Sequence, residues 1–587
     1  MRWYGPIGNN KKWIKMNIQF KYFKTFCLLI AGAMITVSCK QYDNPPPVFE
    51  ELKDLTTLQR KVLVISIDGL TGTELQEVAP ANITALQKNS KYSYNALKTA
   101  SSSGGWVSML TGTSYAKHGI RNDNFEAHHE HDHNHGDIKS YRNILDYVTQ
   151  YKAVKTAMVS SWDNLRYYVR NADFAPVVDD DVEVRDSAIA LLETEQGLGV
   201  IFVNFRGVLD AGHNGGYSAS NPVYKEAIVQ SDGYVGDILE ALKKRKNYEK
   251  EDWLVIVTTN HGGSSEDPEN GFVLVYNPAF EEFELKKSGF NSVAFNPSSV
   301  YGEIPDDDGL YDAGATEDFT VQMDVKFNVQ TRYPGFLSKS TALLGQSITG
   351  WLWMQSFNDA TGKGNWGVVF GGTANGGAGK TQISGGSDVF VTGAWNTLTM
   401  VVKTTGGTTP TARTVTCYVD GVETGTGNIL GVKSLSTLEQ LRVGYRNVDN
   451  GGTGLNMNVA NLTYFNTALN SATVQSTFGL QDITQHPNYA NVIGFWPMDE
   501  GTEGTFFNKA PGGYDMPIHG LYRWDNLADL FPPSTTPEPI TSTLSIPATA
   551  SDIAALTMYW MKIEILADFS FDGKAYLKEF ELEFLKD

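Results

Sequence analysis

The run Val62–Ile67, closed by Asp68-Gly69, constrains this chain more than any other stretch, because a second run of the same style follows far downstream. That second run, Trp253–Thr259, closes in Asn260-His261-Gly262-Gly263. Apolar runs that do not alternate suit strands buried on both faces, as in a parallel sheet covered by helices. In such sheets ligands collect at the carboxyl ends of the strands. Two strand ends offering Asp68 and Asn260-His261 therefore mark a candidate metal or phosphate site. Asp, Asn and Gly also favour turns, so each of these stretches taken alone reads as turn chemistry too.

The text around the two runs extends the pattern. Strands are expected over Leu63–Ile67, Thr156–Ser160, Val200–Phe205 and Leu254–Thr258. Helical spacing lies between them over Thr73–Asn89, Ile144–Tyr151, Ser187–Glu195 and Tyr224–Lys244. Alternation of this kind is the βαβ signature of an α/β domain, a mostly parallel sheet with helices on both faces. From about Thr316 to Leu480 the composition shifts to Gly, Thr and Asn with alternating apolar residues, as in Asp318–Phe327 and Trp395–Val402. Many short strands separated by turn signals predict an all-β jelly-roll sandwich. The tail returns to helical spacing over Asp552–Ile563 and then a turn at Phe571-Asp572-Gly573.

The ends and the charge bound the setting. Lys11, Lys12, Lys15, Lys21 and Lys24 precede the short apolar stretch Phe26–Val37, which stops at Ser38-Cys39. This reads as an export signal rather than a membrane span. Cys39 after Val37-Ser38 resembles a bacterial lipobox with Thr36 where Leu is usual, so Cys39 is the candidate lipidation site; an ordinary cleaved signal is the alternative. Lys40–Glu51, with Pro45-Pro46-Pro47, reads as a tether. Beyond the signal only Cys39 and Cys417 remain, so disulfides do not hold this chain together and its size must supply the cores. A net charge of -19 argues against nucleic acid as a partner.

Four motifs in order give the α/β half a resemblance. Val62–Gly69 is the first and Ser101-Ser102-Ser103-Gly104-Gly105-Trp106, with Leu110-Thr111-Gly112 and His118-Gly119, the second. Gly212-His213 and Thr259–Gly263 are the third and fourth. Together they resemble the alkaline phosphatase superfamily, in its type I phosphodiesterase/nucleotide pyrophosphatase branch. Relatives carry a Ser or Thr nucleophile four residues before the position of Trp106. The resemblance therefore implies Ser102 as nucleophile, with Ser101 and Ser103 as the neighbouring alternatives. Asp552-Ile553-Ala554 is similar to the helix that closes this fold, which makes the sandwich an insertion; an independent C-terminal module is the alternative. The inserted part resembles a laminin-G-like or concanavalin A-like domain, either glycan-binding or a spacer. The expected organisation is a lipoprotein signal over 1–39, a tether over 40–57, the first α/β part over 58–300, the sandwich over 301–535 and the completing α/β part over 536–587.

The family uses two divalent ions, usually zinc, to activate the hydroxyl and clamp an in-line displacement. By resemblance one ion is held by Asp68, Ser102 and the pair at 260–261. The other is held by an Asp four residues before His213, by His213, and by a later histidine. The sequence departs from this at three places. Residue 260 is Asn, residue 209 is Leu with Asp210 one position late, and no histidine lies between His261 and His486. The expectation is then one ion of zinc or another divalent metal rather than two, or none, with Asp68, Ser102, His261 and Asn260 as ligands. A strand-end bulge would be needed to bring Asp210 inward. The dense tract His128–His135 reads either as a metal-binding loop or as a solvated one. Two functions follow from the resemblance. One is a metal-dependent phosphate-ester hydrolase acting through Ser102, lipid-anchored in a bacterial envelope (outer membrane, periplasmic or surface-exposed). The other is a non-catalytic envelope protein that binds a glycan or a protein partner.

Overall fold

The structure is a computed structural model that describes residues 58–584 except 98–100, 121, 127–139, 266–267, 297–299, 306, 332–333, 342–347, 359–360, 362, 373–379, 408, 445–453, 481 and 534–543. The signal, Cys39, the tether and the tract His128–His135 lie outside the described residues.

One seven-stranded sheet organises the α/β half. It is built from β1 (Gln59–Ile67), β2 (Ser90–Ala96), β3 (Lys155–Ser160), β4 (Leu198–Phe205), β5 (Glu251–Thr258), β6 (Gly271–Tyr276) and β7 (Phe283–Glu284), in the order β3-β4-β1-β5-β6-β2-β7. The first four strands of that order, β3-β4-β1-β5, run parallel, and β6 pairs antiparallel with both β5 and β2. Residue period two sends alternate side chains of β1 to opposite faces. Val62 and Val64 join a core with the helices α3 (Ser102–Thr111), α4 (Ile144–Tyr151) and α8 (Asp552–Trp560). Leu63, Ile65 and Ile67 join a second core with α1 (Gly72–Val78), α2 (Ala81–Leu86), α5 (Asp181–Thr194) and α7 (Pro222–Lys243). A further helix, α6 (Gly207–His213), begins two residues after the last residue of β4.

Periodicity predicts a single helix over Thr73–Asn89, but two form, separated at Ala79-Pro80. Proline disfavours the helical region for the residue before it. Ala79 accordingly leaves the helix with φ 47°, and Pro80 opens α2.

The all-β half is a two-sheet antiparallel sandwich. Six strands run Val422–Asn428, Ala412–Val419, Trp395–Thr405, Phe319–Phe327, Met457–Phe465 and Val492–Trp496 across one sheet. The facing eight-stranded sheet centres on Lys363–Gly371, Gly350–Asn358, Gly335–Ser340, Arg442–Gly444 and Tyr301–Glu303. Between them Trp351, Trp353, Trp366 and Trp496 fill a core that also buries the unpaired Cys417.

Residues 546–584 belong to the same core as β1, α3 and α4, so the sandwich strands lie in sequence between two parts of one α/β core. Lys91 Nζ meets Glu583 at 2.7 Å across 492 positions. A polar seam joins the two halves. Ser551 Oγ donates to Glu503 Oε1 at 2.7 Å, Lys574 Nζ donates to the Gly501 carbonyl, and Tyr522 and Lys117 both meet Asp572. Burial pushes the carboxyls there upward, Glu503 to about 7, Glu500 to about 8 and Asp552 to about 6.

Candidate active site

Sheet register brings the two signature strand ends together. β1 pairs with β5 from Gln59↔Glu251 to Ser66↔Thr258, so Asp68 and the 260–261 pair emerge side by side. Gly69 N–H donates to the His261 carbonyl at 3.1 Å, and Gly263 N–H donates to the Gly69 carbonyl at 3.2 Å. Asp68 N–H donates to the Phe205 carbonyl at 2.9 Å, which ties in the end of β4.

The serine run stands at the start of α3. Ser101 is its N-cap: the hydroxyl accepts from Gly104 N–H at 3.0 Å, which serves an otherwise unpaired donor of the first turn. Ser103 Oγ lies 3.4 Å from Ser101 Oγ. Ser102 is turned the other way. Its Oγ lies 2.7 Å from His261 Nε2 and 2.9 Å from Ser265 Oγ. His261 Nδ1 lies 3.2 Å from the Gly262 carbonyl oxygen. Asn260 is committed to local structure, since Oδ1 accepts from His261 N–H at 2.8 Å and Nδ2 donates to the Ser102 carbonyl at 3.3 Å.

Asp68 is enclosed by donors. Ser66 Oγ donates to Oδ1 at 2.8 Å, and Trp106 Nε1, one turn along α3 from Ser102, donates to Oδ2 at 3.1 Å. The Asn204 side-chain nitrogen also faces the carboxylate without closing a full hydrogen bond. Burial raises the Asp68 carboxyl above its ordinary value, offset in part by the Arg206 guanidinium and by these donors. His118 of the His-Gly motif is a core residue: Ser108 Oγ is 3.0 Å from Nε2, Nδ1 accepts from Ile120 N–H, and burial lowers its pKa to about 3.

The other half of the expected ligand set is placed differently. A strand-end register for Asp210 does not occur, because residues 207–213 form α6 and helical phase decides direction. Asp181, at the start of α5, accepts from Arg206 N–H at 2.9 Å and Gly207 N–H at 2.8 Å and so fixes where α6 begins. Leu209 then lies against Gly69, where an added Cβ would come within 2.8 Å of the Leu209 Cα. Gly69 also has φ +76°, so this close approach of two backbones requires glycine. Asp210 and His213, one helical turn apart, are exposed, and His213 meets the ring of Tyr217 edge-on. Asp68, Ser102, Asn260 and His261 are 0%, 5%, 1% and 2% exposed, so the six residues divide into a buried group of four and an exposed pair.

This donor set does not fit a pair of dications. Both oxygens of Asp68 and both ends of the Asn260 amide already serve protein groups, an alkyl side chain lies beside Gly69, and neither Asp210 nor His213 joins the buried group. Among the described residues, no three His, Cys, Asp or Glu side chains converge as a metal would require. Sequence reasoning missed Ser66, Asn204, Arg206 and Ser265. Ser66 sits two residues before Asp68 on the strand, a spacing that could have identified it. Ser265 lies four residues after His261 outside any helix or strand, and no spacing rule pointed to it.

Residues 62–321 match the family described as type I phosphodiesterase/nucleotide pyrophosphatase. Residues 298–475 match the concanavalin A-like lectin/glucanases superfamily. Comparison with curated proteins finds no match. Among solved structures, a 2-O GAG sulfatase is similar at 10% identity over 38% of this chain and 65% of its own, with a TM-score of 0.30. Murine ectonucleotide pyrophosphatase/phosphodiesterase 5 is similar at 19% identity over 34% and 57%, with a TM-score of 0.29. A heptameric SAP-like pentraxin from Limulus polyphemus is similar at 14% identity over 40% and 95%, with a TM-score of 0.27. The chain thus spans less than two thirds of the first two, and all three are likenesses of parts. Residues 62–321 of this chain thus match the type I phosphodiesterase/nucleotide pyrophosphatase family and residues 298–475 the concanavalin A-like superfamily, on the α/β half and the antiparallel sandwich respectively.

Proposed function

We propose that this chain is a phosphoric-ester hydrolase with Ser102 as its nucleophile. The observation that carries the reading is the position of Ser102: its hydroxyl lies 2.7 Å from His261 Nε2 at the amino end of a ten-residue helix. A serine is a weak nucleophile until a base takes up its proton or a positive environment stabilises the oxygen as charge develops, and both are present here. The same reading places the protein in a bacterial envelope, anchored through Cys39 and carried on the tether that follows.

A second reading is favoured by Leu209, Asp210 and His213, which leave half of the family's site without ligands. It takes the domain as a non-catalytic binder of a glycan or protein partner. Turnover of p-nitrophenyl phosphate and bis-p-nitrophenyl phosphate, alongside elemental analysis for bound metal, separates the two. Loss of turnover in Ser102→Ala supports the hydrolase; a folded wild-type chain with no turnover, with or without added zinc, ends it. Intact-mass analysis of the exported protein tests the anchor, which is lost if Cys39 carries no lipid.

A further inference from the structure

The misfit between the family's dications and this donor set, together with the geometry around Ser102, carries an inference of its own. We propose that Ser102 and His261 form a serine–histidine dyad that cleaves an ester without a metal ion. This rests on the hydrolase reading above and changes what activates the nucleophile.

The tautomer follows from the surroundings of the ring. His261 Nδ1 faces the Gly262 carbonyl oxygen at 3.2 Å, and a carbonyl can only accept. The proton therefore resides on Nδ1, and Nε2 presents its lone pair to the Ser102 hydroxyl at 2.7 Å. That is the form a general base needs. With the Ser102 proton directed at Nε2, the Ser265 hydroxyl at 2.9 Å donates to the Ser102 oxygen and holds it in place. The ring stands on a rigid frame. The backbone N–H of His261 donates to Asn260 Oδ1, and the His261 backbone carbonyl accepts from Gly69 N–H and from Thr259 Oγ1. Ser102 opens α3, so the positive end of the helix bears on the oxygen as charge develops. Ser265 is more exposed than the other two and marks the side from which a substrate reaches the serine.

The step balances within these groups. The Oγ–P bond forms as the Ser102 proton moves to Nε2, the bond from phosphorus to the leaving oxygen breaks, and that oxygen takes the proton from Nε2. Water then adds at phosphorus and gives a proton to Nε2. The P–Oγ bond breaks and the proton returns to Ser102. No dication is present in this scheme to offset a dianion, so the substrate class is an ester with one negative charge or none rather than a phosphate monoester.

A fluorophosphonate probe tests this without knowledge of the substrate, because it labels an activated serine with loss of fluoride. The full chain is labelled in EDTA and in zinc, and the adduct is located by peptide mass spectrometry. The dyad predicts a Ser102 adduct that forms equally fast in both, and a rate at least a hundredfold lower in His261→Gln at unchanged Tm. Labelling of Ser102 only in zinc would assign activation to a metal and overturn the dyad while the hydrolase reading stands. No Ser102 adduct in either condition, with no turnover of bis-p-nitrophenyl phosphate, would overturn both. If His261→Gln fails to fold, the comparison of EDTA with zinc on the wild-type chain decides.

Discussion

The two flanks of the strand-end crevice differ in what sets the direction of their side chains. On the β1–β5 flank, hydrogen-bonded register places Asp68 beside Asn260-His261, and α3 delivers Ser102 to the same spot. On the β4 flank, the chain enters α6 two residues after β4 ends, and helical phase presents Leu209 to Gly69 while Asp210 and His213 reach solvent. A strand-end site survives when the sheet ladder fixes it. A one-residue offset in a short helix is enough to lose it, because each residue turns the side chain by roughly 100°.

The largest test of this contrast is Ser102→Ala. Turnover of bis-p-nitrophenyl phosphate is expected to fall by about 10³-fold or more at unchanged Tm, and Ser103→Ala to leave it near wild type. Equal losses in both would remove the distinction drawn between the three serines. Next is Leu209→Asp, which puts a carboxylate where the family has one but into a buried apolar contact. It is expected to cost about 2–4 kcal/mol, read by denaturant unfolding, with no recovery on adding zinc. Recovery by zinc would show that α6 can shift its phase and that the second flank keeps a latent site.

Glu503→Gln sharpens the contrast from outside the crevice, at a buried acid with a structural role. Its folded pKa of about 7 lies above its unfolded value near 4.5, so the fold holds a proton that the unfolded chain releases first. Wild-type stability is therefore expected to decline as pH rises from about 4.5 through about 7. The glutamine variant should lose Glu503's share of that slope, with Glu500 and Asp552 keeping theirs, and gain about 1–3 kcal/mol at pH 8, read as Tm against pH. The smallest effect belongs to Asp210→Ala with His213→Ala. On an exposed helix face these should change stability by less than about 0.5 kcal/mol and leave turnover unaltered. A hundredfold loss of turnover in that pair would return the exposed flank to the chemistry.

The parallel strands were legible because unbroken apolar runs such as Val62–Ile67 suit strands buried on both faces, whereas their order in the sheet was not. The break at Ala79-Pro80 was also written in the sequence, yet helical periodicity concealed it. Ser102 was legible by its spacing to Trp106, whereas its contact with Ser265 was not, since that contact crosses 163 positions through a loop with no periodic pattern. Asp210 points away from the buried group as expected, but the local structure that turns it there was misread for a definite reason. Period two was applied to residues that Asp181, from a different helix, holds in period 3.6.

The interrupted α/β core sets an order of events for the chain as it is made. β1 buries one face against α8, and the Lys91–Glu583 contact spans 492 positions, so that core stays open until residues 546–584 have been made. Throughout that interval the apolar face of the newly made sheet is exposed to other chains, while the all-β segment has its own core and can close first. Truncation before residue 546 would therefore be more damaging than its distance in sequence from Ser102 implies. It would leave a finished sandwich tethered to a half-domain prone to aggregation.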